Sequence, residues 1–254
     1  MDGNIGIALL LSAVAGLSTT LGSLLSIVFR RPGPRFMTLT LGFSGGVMIL
    51  ISFAELLPTG VDALGFGPAY VAFFIGMVVM FLIDVLIPHM YIGEQHCTEP
   101  GNRDGKLLKA GVLVALGIGI HNFPEGMASF AGTLQDVSLG AAIAFAIALH
   151  NIPEGVAVSA PVYAATGSRS KSFLCSFLSG AAEPVGAVLA ALVLMPFLNE
   201  TVLGFVLSAV AGVMVFIAVD ELVPISRSFG EEHLSIVGIV SGMMIAAVSL
   251  WMLR

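Results

Sequence analysis

Charge is what this chain has least of. Asp, Glu, Lys and Arg together supply 10% of its 254 residues while hydrophobic residues supply 57%, against roughly 25% and 45–50% in ordinary soluble domains. That balance excludes a soluble globular core and puts most of the polypeptide in lipid. Basic residues are too few to follow a phosphate backbone: Lys and Arg number 10 against 16 Asp and Glu, a formal charge of −6, so nucleic acid is not an expected partner. The two cysteines, Cys97 in a loop and Cys175 in an apolar run, form neither a CxxC pair nor a disulfide framework. The HExxH motif of helical metalloproteases is also missing.

What is present is a series of apolar runs of spanning length, at about 5–29, 36–57, 68–88, 107–131, 139–163, 172–198, 201–223 and 234–253. At about 20 residues per crossing these predict an all-α membrane protein of eight transmembrane helices, one domain covering 1–254. Between them lie turn-like or polar stretches, Arg30 to Arg35, Thr59 to Gly67 and the longest, His89 to Lys106. The first run, Ile5 to Phe29, is too long for a signal-peptide core and Asp2 is not basic, so it reads as a retained span. Arg30, Arg31 and Arg35 follow span one, Arg103, Lys106 and Lys109 follow span three, Arg169 and Lys171 follow span five, and Arg227 follows span seven. The opposite loops carry no Lys or Arg, with Arg254 as the exception, so both termini are expected outside and the His89 to Lys106 loop in the cytoplasm.

The chain repeats itself. Gly46-Val47-Met48 followed by Glu55-Leu56-Leu57-Pro58 in span two returns at identical spacing as Gly212-Val213-Met214 and Glu221-Leu222-Val223-Pro224 in span seven. His121-Asn122-Phe123-Pro124-Glu125-Gly126 in span four returns as His150-Asn151-Ile152-Pro153-Glu154-Gly155 in span five. Each pair runs in opposite directions, which predicts an inverted 3+2+3 repeat around spans four and five, with a site near the midplane.

A histidine and a glutamate at i and i+4 share one helix face, so His121 with Glu125, and His150 with Glu154, each offer an imidazole and a carboxylate to one cation. Pro124 and Pro153 loosen the carbonyls near Ile120 and His121, and near Leu149 and His150. Gly126 and Gly155 permit close helix approach. Asn122 and Asn151 lie about 100° around the helix and point to a neighbouring volume, which Glu183 in span six is placed to close. Three carboxylates in mid-bilayer cost on the order of 2.5–3.5 kcal/mol each on insertion scales. With no Lys or Arg deep inside the spans, their compensators are protons, cations or water. The donor set suits zinc, ferrous iron, manganese, cobalt or cadmium better than magnesium or calcium, as a transported substrate, with no resident cofactor. Met48 offers a soft thioether or simple packing. Glu55, Asp84, Asp220 and Glu221 read either as functional groups or as helix-to-helix hydrogen bonds. His89, His96 and Cys97 read as solvated loop residues or a cytoplasmic metal capture point, and His233 as part of a wet loop with Glu231 and Glu232.

The paired HNxPEG motifs resemble the ZIP (Zrt/Irt-like) metal transporters, in particular their bacterial ZupT-like branch. Phe43 to Pro58, Ala160 to Ser168 and Val219 to Leu222 are similar to the same branch, so the resemblance runs the full length. It implies uptake of divalent metal into the cytoplasm across a bacterial inner membrane. The implied site is a binuclear centre with His121, Asn122 and Glu125 from span four, His150, Asn151 and Glu154 from span five, Glu183 from span six, and Met48 as a soft ligand. Glu154 is the implied bridging carboxylate, and Asn151 stands where some relatives carry an acid. The resemblance further implies a bundle of spans one, four, five and six moving against a scaffold that often dimerises. The alternatives are an intramembrane metalloenzyme, a gated channel and a structural scaffold. Of these the last leaves the duplicated clusters unexplained, and the expected protein is not an enzyme.

Overall fold

The computed structural model describes residues 4–29, 33–86 and 103–253. Asp2, Arg30, Arg31, His89, His96, Cys97 and Arg254, named above, lie outside them. Every described element is helical, as it must be where lipid offers no hydrogen bonds to an open backbone.

Helix α1 (Ile5–Phe29) is followed by α2 (Pro34–Ile51), α3 (Leu57–Leu64) and α4 (Phe66–Leu86), then by α5 (Arg103–Gln135) and α6 (Val137–Thr166). The remaining helices are α7 (Arg169–Leu189), α8 (Glu200–Ile217), α9 (Val223–Ser228) and α10 (Glu232–Leu253). Seven helical stretches among the described residues are long and apolar enough to cross a membrane: Ile5–Ser26, Pro34–Leu64, Phe66–Leu86, Val137–Thr166, Arg169–Val193, Glu200–Ser228 and Glu232–Met252. The expected fourth span lies within α5, whose 33 residues extend about 50 Å at 1.5 Å per residue.

The expected turn at Thr59 to Gly67 shrinks to one residue. Pro58 sits in the first turn of α3, where its missing N–H costs little, so the helix runs on to Leu64 and stops at Gly65, with φ 80°. Polar caps set the other ends. Asp136 accepts from Leu139 N at 2.9 Å to start α6, and is the only residue between α5 and α6. A one-residue connection forces those two helices to run antiparallel side by side. Gly167, with φ 63°, ends α6, and Ser168 caps α7 by accepting from Lys171 N at 3.3 Å.

Span two and span seven each loosen at the same place. A π-helical segment, Ser52–Leu56, joins α2 to α3, and another, Ala218–Leu222, joins α8 to α9. Each holds the repeated glutamate, Glu55 or Glu221, three residues ahead of the repeated proline. Proline at Pro58 and Pro224 removes one backbone donor from the preceding turn, and the i→i+5 register absorbs the loss.

Helix α1 packs on α6 and α7, and α5 packs on the same two helices, so these four form one group. Outside it α10 covers α2, and α4 covers α8. Helix α2 touches the group through α6, and α8 touches it through α5. The α6 span is 72% buried, against 28% for α4, so α6 is the axis of the fold and α4 a lipid-facing edge. Leu10, Val14, Leu17, Leu21 and Leu24 expose a continuous apolar stripe of α1, as expected where the outside is hydrocarbon.

Candidate metal centre

The repeated clusters meet at the α5–α6 contact. His121, Asn122, Glu125, His150, Asn151, Glu154 and Glu183 are all 0% exposed. The two helices run antiparallel with the motifs at matching height, so each histidine faces the glutamate of the other helix. His121 Nε2 lies 3.2 Å from Glu154 Oε2, and His150 Nε2 lies 3.2 Å from Glu125 Oε1. The pairing is therefore crosswise between helices, where the i, i+4 spacing had suggested one half-site per helix. Among the described residues no three His, Cys, Asp or Glu side chains are grouped as around a bound ion; each imidazole is matched to a carboxylate.

Glycine brings the elements this close. A Cβ on Gly126 would press into the Glu183 carbonyl of α7, and one on Gly155 into the Thr19 carbonyl of α1. Gly22 and Gly186 do the same in the other direction, against the carbonyls of Ile152 and Phe123. Serines tie the same contacts: Ser12 Oγ donates to the Glu183 carbonyl at 3.3 Å and Ser176 Oγ to the Thr19 carbonyl at 2.9 Å.

The asparagines point away from the His/Glu pairs, toward α1 and α7. Asn151 Nδ2 donates to Glu183 Oε2 at 2.8 Å and to the Ala15 carbonyl at 3.0 Å. Asn122 Nδ2 donates to the Ser179 carbonyl at 3.3 Å. Glu183 thus lies beside Asn151, while Asn122 bonds the backbone of α7 instead. Met48 is fully buried in the apolar core, one turn along α2 from Ser44; the hydrogen bonds of the cluster do not include it.

Six polar atoms of these residues have no hydrogen-bond partner among the described residues: His121 Nδ1, Asn122 Oδ1, Glu125 Oε2, His150 Nδ1, Asn151 Oδ1 and Glu183 Oε1. Native interiors leave few such atoms; five of these six sit on the repeated motifs and the sixth on Glu183, while the other buried unpaired atoms among the described residues are mainly serine and threonine hydroxyls. Two imidazole nitrogens, two carboxylate oxygens and two amide oxygens form the mixed N/O donor set of a borderline divalent cation.

Residues 93–250 match the family described as ZIP Zinc transporter. The chain belongs to the ZIP zinc transporter family. Its similarity to curated members covers nearly its whole length. It is 48% identical over 253 residues to zinc transporter ZupT of Streptococcus mutans, covering 96% of each chain. It is 46% identical over 268 residues to zinc transporter ZupT of Lysinibacillus sphaericus, covering 100% of each. It is also 46% identical over 264 residues to zinc transporter ZupT of Chlorobaculum parvum, covering 98% of each.

Two residues at the centre of this ZIP family chain escape a reading of its sequence. Ser44 of α2 reaches Glu154 Oε1 at 3.2 Å and the His150 carbonyl at 3.3 Å, the region Pro153 was expected to loosen. Thr19 of α1 is fully buried with its hydroxyl unpaired among the described residues, and it contacts α6 and α7 as Glu183 contacts α5 and α1. Both are small hydroxyl residues in glycine- and serine-rich helices, where nothing in composition separates them from packing residues. Comparing spans one and six at a fixed offset would have paired Thr19 with Glu183 and Ser12 with Ser176.

Proposed function

We propose that this protein carries divalent transition-metal ions, zinc foremost and also ferrous iron, manganese, cobalt and cadmium, into the bacterial cytoplasm through a two-ion centre in the inner membrane. The observation that carries this reading is the two crosswise His–Glu pairs with Glu183 beside Asn151, all fully buried, with six donor atoms unpaired among the described residues. The family match and the names of the relatives favour zinc.

In this reading His121, His150, Glu125 and Glu154 hold the first ion, with Met48 as a soft neighbour. Asn122, Asn151 and Glu183 hold the second, sharing the two central glutamates, with Glu154 bridging. An incoming cation replaces the crosswise His–Glu hydrogen bonds with coordination, so two buried pairs are exchanged for one stronger neutralising charge. Each carboxylate and imidazole must shed its proton to bind. Protons therefore compete with zinc, and uptake should fall as external pH drops from about 7.5 to about 5.5. Release is downhill toward a cytoplasm whose buffers hold free metal low.

The inverted 3+2+3 repeat belongs to the same proposal. In its support, the π-helical segments of spans two and seven coincide, α1 meets α6 as α7 meets α5, and α2 meets α10 as α8 meets α4. A fold with two equivalent halves around one site has two equivalent ways of closing, which is the requirement for alternating access.

The test is metal flux into proteoliposomes across a panel of divalent ions. Intact protein should carry zinc with saturating kinetics, and His121→Ala and Glu154→Ala should each lower uptake at least tenfold, about the loss that follows when a metal site is disturbed. Flux unchanged in both variants would overturn the site.

A further inference from the structure

The two His–Glu pairs look interchangeable in the sequence, yet their surroundings differ at one polar contact. Glu154 has both oxygens engaged, Oε2 by His121 and Oε1 by the Ser44 hydroxyl. Glu125 has one oxygen engaged by His150, and its Oε2 has no partner among the described residues. The sequence explains the difference. At the spacing that matches Met48 with Met214 and Glu55 with Glu221, the counterpart of Ser44 is Val210, which has no hydroxyl to give.

Ser44 is fully buried, belongs to α2, and carries a single hydroxyl proton. Two acceptors lie within reach, Glu154 Oε1 at 3.2 Å and the backbone carbonyl of His150 at 3.3 Å. A hydrogen bond to a carboxylate is about twice as strong as one to a neutral carbonyl, so the proton rests on Glu154. When Glu154 gives its Oε2 to a cation, the hydroxyl stays on Oε1, because the His150 carbonyl is the weaker acceptor. Glu154 therefore presents one oxygen while the other remains held.

We propose that Ser44 is a positioning residue for Glu154: it holds Oε1 so that the carboxylate presents one oxygen to the cluster, and so keeps the ion from being gripped by both. This rests on reading Glu154 as a metal ligand. Without Ser44, Oε1 is a buried carboxylate oxygen with no donor, and its best available partner is the ion itself. A carboxylate that binds through both oxygens holds zinc more tightly and releases it more slowly.

Zinc uptake into proteoliposomes loaded with a fluorescent zinc probe separates these states. Ser44→Ala should lower KM and the maximal rate together, each by about fivefold, the scale of one lost charge-assisted hydrogen bond partly offset by the new contact. Ser44→Thr, which keeps the hydroxyl, should return both to within about twofold of the intact protein, a rescue that a packing role would not give. If Ser44→Ala does not fold, Ser44→Cys, close in volume and a weak donor, takes its place with the same expected direction. Unchanged kinetics in Ser44→Ala, a raised KM at constant rate, or a Ser44→Thr protein as altered as Ser44→Ala would each overturn the proposal. Failure of the site itself reads differently: Glu154→Gln would then transport like the intact protein, whatever Ser44 does.

Discussion

Asn151 and Glu183 meet at 2.8 Å with the amide donating to the carboxylate, and both are fully enclosed. Replacing the amide by an acid sets two carboxylates against each other where water cannot screen them, a repulsion that only protons or a cation can relieve. Asn151→Asp should therefore unfold at a lower temperature than the intact protein in a chelator. It should also gain a larger upward shift of that midpoint when zinc is added, because the ion binds the folded state alone. A differential scanning measurement in detergent with and without zinc checks both. Equal shifts in the two proteins would remove Asn151 and Glu183 from the second ion position. At this scale the sequence was informative wherever a motif occurs twice: His121, Glu125, His150 and Glu154 were legible because i, i+4 spacing puts chemistry on one face. Which histidine faces which glutamate was not legible, since spacing along one helix says nothing about the register of its neighbour.

Among helices the decisive quantity is how near two backbones come. Gly126 and Gly155 lie against the carbonyls of Glu183 and Thr19, with no room for a methyl group, whereas Gly33 has nothing within 4 Å of an added Cβ. Gly126→Ala and Gly155→Ala should each destabilise the fold by about 1–3 kcal/mol, the usual cost of overpacking, and depress zinc transport by separating the halves of the site. Gly33→Ala should leave thermal unfolding and transport unchanged. A melting series of the three variants decides it. Seven of the expected apolar runs correspond to helical stretches long and apolar enough to cross a membrane, and the expected fourth lies within α5, because lipid demands unbroken hydrophobicity. The sequence misplaced the end of span two, where polar Thr59 and Asp62 with Gly60, Gly65 and Gly67 suggested a turn. The helix continues there because Pro58 falls in a first turn and the π-helical segment before it takes up the missing donor.

For the molecule as a whole, the distribution of Lys and Arg predicts a direction for every span. With both termini outside, as that distribution predicts, Asp136 and Asn199 should face the exterior and Ser168 the cytoplasm. In a background with Cys97 and Cys175 changed to serine, Asp136→Cys and Asn199→Cys should react with a membrane-impermeant maleimide added to intact cells, and Ser168→Cys only after permeabilisation. The reverse pattern would invert the topology and with it the direction of uptake. Arg35 and Glu231 form an exposed ion pair at 3.0 Å between the start of α2 and the loop before α10. It is too solvated to govern the fold.

By itself the sequence determined that this chain lives in lipid, how many times it is expected to cross, that two of its motifs recur, and which imidazoles and carboxylates are the candidates for its chemistry. Those properties depend on hydropathy, charge and spacing along one strand of polypeptide. Tertiary structure alone decided the crosswise His–Glu pairing, the approach of Glu183 to Asn151, and the hydroxyl of Ser44 on Glu154. Each of these joins residues on different helices, and the distance between helices is set by the glycines and serines packed at their contacts, which no single helix records.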